Sequence, residues 1–338
     1  MHPKFLPLLC SPRTGAPLEL VAETLDTKGN IQTGELITAD EKERYFIEGG
    51  VPRFVDQEQY TSTFGYEWKA WPRLQFEEDN RGGVMQGFTQ KMFDTVTEFT
   101  SAEIKDKLVV EFGCGPGRFL DRVVALGGLA VGLELSQAAD VAFQNFADQQ
   151  DRVLIVQGDI LHPPFKSGVF DHGFTIGVLH HTPNPGEGFK QLARTVKAGG
   201  RVVCRVYARG GFYGFPSVRL MRFFHRTLER LMGNEKTHSL YRRYAAWSAS
   251  KGYAFIQSVR RVPLVGKPLA YILEHYFIVS VNLPDERWRM LDVFDASTPF
   301  HASTHTAEEI QAWYRAAGIQ EIRHVKGGNT FSGISVTK

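Results

Sequence analysis

Residues 107–119 read KLVVEFGCGPGRF, and they pose the first chemical question. A short apolar run ends in a carboxylate, Glu111. Glycines follow at alternate positions, Gly113, Gly115 and Gly117, ahead of a helix-like segment. Such a loop turns sharply and lets backbone approach a ligand at a helix N-terminus, because no side chains intervene. The dinucleotide fingerprint G-x-G-x-x-G needs a third glycine at position 118, where Arg118 stands. The spacing therefore argues against a pyrophosphate cradle. Two further acids close the next two apolar runs. Glu134 is placed to accept from both ribose hydroxyls, and Asp159, in QGDI, to meet an exocyclic amine. Three acids at successive strand ends fit a ligand with hydroxyls, an amine and a cationic amino-acid end. They do not fit a diphosphate.

A second candidate is IGVLHHTPNP, which follows the fourth strand-like run. His180 or His181 could take a proton from a substrate hydroxyl or amine, since imidazole titrates near neutral pH. The competing reading is structural: the pair orients a loop or caps the next helix. Adjacent histidines on a strand point to opposite sides, and no Cys or carboxylate stands at a familiar ligand spacing. No metal site is expected there.

These residues need elements to hold them. Between 107 and 208, strand-like runs (LVVEF, LAVGLEL, RVLIVQGD, VFDHGFTIG, GGRVVCRVY) alternate with helix-like segments at 117–127, 137–148 and 186–197. That alternation predicts βαβ units around a parallel sheet. HTAEEIQAWYRAAG adds a helix with a capping box, Thr306 with Glu309, and Gly318 as its stop. IQEIRHVK and FSGISVTK then predict a closing antiparallel hairpin.

Taken in order, VVEFGCGPGRF, GLELS, QGDI and FDHGFTIGVLHHTPNP resemble the motifs of class I S-adenosylmethionine-dependent methyltransferases. The resemblance covers roughly 107–208 and the last 35 or so residues. It implies an α/β fold: a Rossmann-like, seven-stranded, mostly parallel sheet with helices on both faces. It implies S-adenosylmethionine as methyl donor, leaving S-adenosylhomocysteine, and no metal. Gly113, Gly115 and Gly117 would lie against the methionine part, with Glu111 holding its ammonium. Glu134 would take the ribose, and Asp159 with Ile160 the adenine. Cys114, Leu135 and Ile176 complete the expected cofactor set. Alignment of nucleophile, methyl and sulfur supplies much of the rate of such a transfer, so a base is optional.

Four regions are expected: a β-rich unit at 1–58, an aromatic and helical cap at 59–106, a core at 107–208 and 301–338, and a helical insertion at 209–300. The first resembles the zinc-ribbon-like domain that precedes some bacterial methyltransferases and is related to the activator subunit of tRNA and protein methyltransferases. Only Cys10 remains of its cysteines, and Arg13 stands near the next ligand position, so no zinc is expected. Docking or substrate covering competes with a purely structural role. The cap carries TFGYEWKAW, in which Tyr66 and Trp68 are candidate pocket residues. Arg118, Arg205 and Tyr207 join them as acceptor-side candidates.

The chain has 338 residues, 43% of them hydrophobic, enough for one large domain or two smaller ones. No long apolar span or signal peptide is apparent. Three scattered cysteines point to reduced thiols and a cytoplasmic protein. Net charge is +2, yet residues 201–270 hold 14 Lys or Arg against two acids. Within that block Val218, Met221, Phe224, Leu228 and Leu231 share a helical spacing. Three readings compete for it: contact with an anionic membrane or lipid-linked substrate, grip on an anionic small substrate, or solvation of a lid or interface. The expected activity is methyl transfer to O, N or C of a small molecule, such as a sugar, lipid-linked compound or secondary metabolite. RNA or protein methylation and a non-catalytic scaffold are the alternatives.

Overall fold

The computed structural model describes residues 1–55 and 62–336. The expected boundary at 58–59 and the last two residues of the closing strand lie outside them. The chain opens with four strands: β1 (Leu18–Leu25), β2 (Ile31–Thr38), β3 (Arg44–Glu48) and β4 (Val51–Arg53). Helices α1 (Ser62–Ala70), α2 (Phe88–Thr97) and the single turn α3 (Ser101–Ile104) follow. Next come β5 (Leu108–Phe112), α4 (Arg118–Ala125), β6 (Leu129–Glu134), α5 (Ala138–Asn145), β7 (Val153–Gln157), β8 (His172–Ile176), α6 (Pro185–Thr195) and β9 (Arg201–Val206).

An all-helical stretch is inserted here: α7 (Pro216–Met232), α8 (Asn234–Trp247), α9 (Tyr253–Arg260), α10 (Gly266–Tyr276) and α11 (Glu286–Ser297). The chain ends with α12 (Ala307–Ala316), β10 (Ile319–Val325) and β11 (Asn329–Ser335). The capping box of α12 forms as its sequence requires, with Thr306 and Glu309 each bonding the other's backbone.

Strand order is β1-β2-β3-β4-β7-β6-β5-β8-β9-β11-β10. The last seven form the expected sheet: β7, β6, β5, β8 and β9 run parallel, and β11 and β10 close it antiparallel. The sheet is larger than seven strands, however. β4 joins β7 in parallel at Arg53 and Gln157, so the N-terminal meander continues the central sheet. Arg53 secures the junction through Gln157 Oε1 and Asp140 Oδ1, both at 2.6 Å. One hydrophobic core runs beneath both parts, from Phe5, Ile31 and Ile47 to Val131, Leu154 and Phe165.

Helices cover both faces, as parallel strands that are apolar on both sides demand. α6 and α12 bring Phe189, Leu192, Ile310 and Tyr314 to one face. α2, α4 and α5 bring Phe93, Phe119, Leu120 and Ala142 to the other. The insertion builds a third core, where Val218, Tyr241, Ala245, Leu291 and Phe294 meet Trp71. The apolar stripe expected on α7 is only partly right. Val218 is buried and Met221 and Leu228 pack on that core, but Phe224 and Leu231 face solvent. α8 docks on a neighbouring face of α7, and that face is polar, with Arg222 and His225 buried.

Candidate active site

Strands β6 and β8 flank β5 on opposite sides, so the chain's connections part there. Open α/β sheets bind ligands outside the strand ends at such a switch point. A cavity of about 490 Å³ opens there, within the range of small-molecule sites. Strand ends and following loops supply its floor: Glu111, Gly113, Cys114, Gly115, Glu134, Leu135, Ile160, Ile176, His180, His181, Arg205 and Tyr207. α1 adds Glu67 and Trp68, and α11 adds Trp288, Leu291, Asp292 and Asp295.

The glycine loop has the conformation its sequence calls for. Gly113 and Gly117 have φ of +76° and +93°, in the left-handed region. A Cβ on Gly113 would stand 2.3 Å from the Val178 side chain, and one on Gly117 would stand 2.5 Å from the Phe146 ring. Glu134 ties the loop to the end of β6. Its carboxylate accepts from Gly115 N–H at 3.0 Å, Ser136 N–H at 2.9 Å and Ser136 Oγ at 2.7 Å. Glu111 is 1% exposed, and its Oε2 has no hydrogen-bond partner. Burial pushes its carboxyl well above the usual range, and the Arg118 guanidinium only partly offsets this.

The two histidines play different parts. His180 Nδ1 accepts the Tyr207 backbone N–H at 3.3 Å, which puts the proton on Nε2, and Nε2 has no partner. His180 thus offers the cavity a donor rather than a base. His181 Nδ1 lies 2.8 Å from the His301 carbonyl and donates to it, leaving the Nε2 lone pair free. Burial lowers the pKa of His181 to about 3 and that of His180 well below its ordinary value. Both rings are neutral in the physiological range, and His181 is a weak base.

Stronger proton acceptors are Asp292 and Asp295, which the sequence did not single out. The Tyr207 ring stacks on His180 at 3.5 Å and on Tyr213 at 3.7 Å. Its hydroxyl donates to Asp295 Oδ2 at 3.3 Å. Burial raises the Asp292 carboxyl to about 6, helped by neighbouring Asp295, while hydrogen bonds from Ser280 and Tyr213 pull it down. Asp295 is raised by burial too, against the pull of Arg222 and Arg118. Glu67 is 1% exposed with an unpartnered Oε2, and burial, helped by neighbouring Asp295, pushes its carboxyl well above the usual range.

Three expected residues sit elsewhere. The Asp159 carboxylate turns back to accept Leu161 N–H at 2.8 Å and does not line the cavity, although Ile160 beside it does. Gly117 backs onto Phe146 behind the loop. Tyr66 points away from the cavity and packs on His238 and Phe294, because successive helical residues face different sides and Glu67 and Trp68 take the inward positions.

A family model described as a methyltransferase domain matches residues 110–204. That stretch is a methyltransferase domain. Over 145 residues the chain is 28% identical to 27-O-demethylrifamycin SV methyltransferase of Amycolatopsis mediterranei, covering 41% of this chain and 50% of that protein. It is 30% identical over 112 residues to tRNA U34 carboxymethyltransferase of Psychromonas ingrahamii, covering 32% and 34%. It is 33% identical over 103 residues to demethylmenaquinone methyltransferase of Lactiplantibacillus plantarum, covering 28% and 43%. The chain spans half or less of each of these relatives. The methyltransferase domain match ends at Cys204, so Tyr207, Tyr213, Asp292 and Asp295 lie outside it. The second wall of the cavity therefore belongs to the parts of the chain that this family model does not describe.

Proposed function

We propose that this chain transfers the methyl group of S-adenosylmethionine to an oxygen or nitrogen of a small organic acceptor enclosed by α1, α11 and the end of β9. The observation that carries the reading is the pairing of two sets of groups in one cavity. Glu111, the glycine loop and Glu134 form one set, and Tyr207, Asp292 and Asp295 the other.

The residues fit the donor. Glu111 offers a buried, unpartnered carboxylate oxygen, the complement of an α-ammonium group. Glu134 keeps acceptor capacity for ribose hydroxyls beyond its bonds to the loop. Leu135 and Ile160 supply apolar surface for the base. When bound, the donor supplies an activated methyl group on a sulfonium. The chain's own task is to align the acceptor and remove its proton. Asp292, raised to about 6, is ionised at neutral pH yet basic enough to take that proton. Tyr207 holds Asp295 in place.

Titration calorimetry with S-adenosylhomocysteine tests the reading. Micromolar binding by the wild type, lost in Glu134→Ala, is expected. No heat from the wild type, or equal affinity in both, would sink it.

A second reading concerns the acceptor's origin. No helix among the described residues is long and apolar enough to cross a membrane. The insertion nevertheless exposes Val262, Leu264, Val265, Leu269 and Ile272 beside Arg261 and Lys267, with Leu264 fully exposed. Interleaved basic and apolar side chains suit an anionic membrane surface, and this favours a lipid-linked acceptor. Cosedimentation with anionic but not neutral vesicles, abolished by Leu264→Asp, is the expected result.

A further inference from the structure

The insertion carries a polar cluster that the cavity does not use. His225 and Glu229 lie one turn apart on α7. The chain reverses at Gly233, and His238 on α8 comes to face them. One ring nitrogen of each histidine and one carboxylate oxygen all lie within 4.8 Å of one another. His238 Nε2 is 3.2 Å from Glu229 Oε1, and His225 Nδ1 is 3.5 Å from Glu229 Oε2. His225 is fully buried, and neither of its ring nitrogens has a hydrogen-bond partner.

We propose that His225, Glu229 and His238 form a divalent metal site of zinc type that fastens α7 to α8. Two imidazoles and a carboxylate are borderline ligands, which suit zinc better than magnesium or calcium. Zinc ligands about 2.0–2.2 Å from a tetrahedral ion stand roughly 3.3 Å apart; each histidine already lies about that far from one oxygen of Glu229, His238 from Oε1 and His225 from Oε2. The third side closes with a small movement of the stacked rings, whose centroids are 5.5 Å apart. A fourth position remains for water. The ion would also take up a ring lone pair of His225 that otherwise has no partner. Tyr241 and Tyr66 wall the cluster, at 4.6 Å from His225 and 5.1 Å from His238.

The site would be structural, and its place gives it a purpose. The His238 ring also contacts Phe294, at 6.4 Å. Phe294 precedes Asp295, a cavity residue. A metal here braces the wall behind the acceptor pocket without touching either substrate.

The test uses the full chain after treatment with chelator and dialysis. Zinc is titrated against a chromophoric competitor, and thermal melting is followed in parallel. One equivalent should bind and raise the melting temperature. Glu229→Gln and His238→Gln should each weaken binding at least tenfold and abolish the melting shift. Far-UV circular dichroism shows whether each variant folds. Glu229→Gln keeps the side-chain size and is decisive if His238→Gln misfolds. Failure of the wild type to compete for zinc, or affinity unchanged in the folded variants, overturns the proposal. Binding of S-adenosylhomocysteine is measured separately, so the metal site and the proposed activity can fail independently.

Discussion

The Tyr207 hydroxyl donates to Asp295 Oδ2 across 3.3 Å, joining the end of β9 to α11 on the far side of the cavity. The two residues are 88 positions apart in sequence, so the bond forms only when the insertion docks on the sheet. It couples closure of the acceptor pocket to the placement of a carboxylate. Tyr207→Phe keeps the stack on His180 and Tyr213 and removes only the donor. A hydrogen bond to a charged group contributes about 1.5–3 kcal/mol, so kcat/KM should fall roughly 10- to 100-fold. Affinity for S-adenosylhomocysteine, measured by calorimetry, should stay the same.

Asp292 should give the enzyme its acid limb. Its carboxyl is raised to about 6 in the fold, so activity should fall as pH drops below about 6. The same shift has a consequence for stability. Between the ordinary carboxylate pKa of 3.8 and about 6, the unfolded chain has lost the proton that the folded chain retains. The unfolded state then binds fewer protons, so stability declines as pH rises through that window and stays lower above it. Asp292→Asn should therefore raise unfolding stability at pH 7 by roughly 3 kcal/mol, while removing the acid limb and lowering kcat about 100-fold. A variant that loses both stability and activity would mark Asp292 as a packing residue.

His181 should behave in the opposite sense. Burial lowers its pKa from 6.5 to about 3. As pH falls from 6.5 toward 3, the unfolded chain takes up a proton that the folded ring refuses, and stability is lost over that range. His181→Asn retains an N–H donor for the His301 carbonyl and cannot be protonated. It should flatten the acid loss of stability in urea titrations between pH 6.5 and 4. Its pH–rate profile should keep the limb assigned to Asp292. Disappearance of that limb would return the role of base to His181.

The half of the site that was legible in the sequence is the half built by strands. Glu111 and Glu134 each end an apolar run, and the sheet carries such ends to one edge, so spacing alone brings them together. The glycines between them are forced by backbone conformation and by close packing on Val178 and Phe146. Asp159 shares the strand-end position, yet a local turn captures its carboxylate, and spacing does not reveal such a turn. The other half comes from helices. Glu67, Asp292 and Asp295 read as ordinary solvated acids, because an acid on a helix is unusual only once another element buries it. One signal was present: LDVFD places two acids three residues apart on a helix whose other positions are largely apolar. The union of the N-terminal strands with the central sheet was hidden for a related reason. It depends on one short strand, β4, meeting β7 about 100 residues later. The polar face of α7 was concealed by the apolar residues beside it, and His225 became notable only when α8 folded back over it.

Glu111 offers a separation of ligand binding from packing. Its Oε2 is buried without a partner, and burial drives its pKa well above the usual value. Before ligand binds, an ionised Glu111 is costly to the fold, and only Arg118 offsets part of that cost. Glu111→Gln has nearly the same shape and no charge to desolvate, so the unliganded protein should melt at a higher temperature. The ammonium of S-adenosylhomocysteine would lose an anionic partner, and affinity should weaken roughly 10- to 100-fold. The two effects run in opposite directions, as expected of a group kept in a strained electrostatic state for its ligand. Lower stability together with unchanged affinity would show that Glu111 serves the core of the sheet, and the assignment of the ammonium to it would fall.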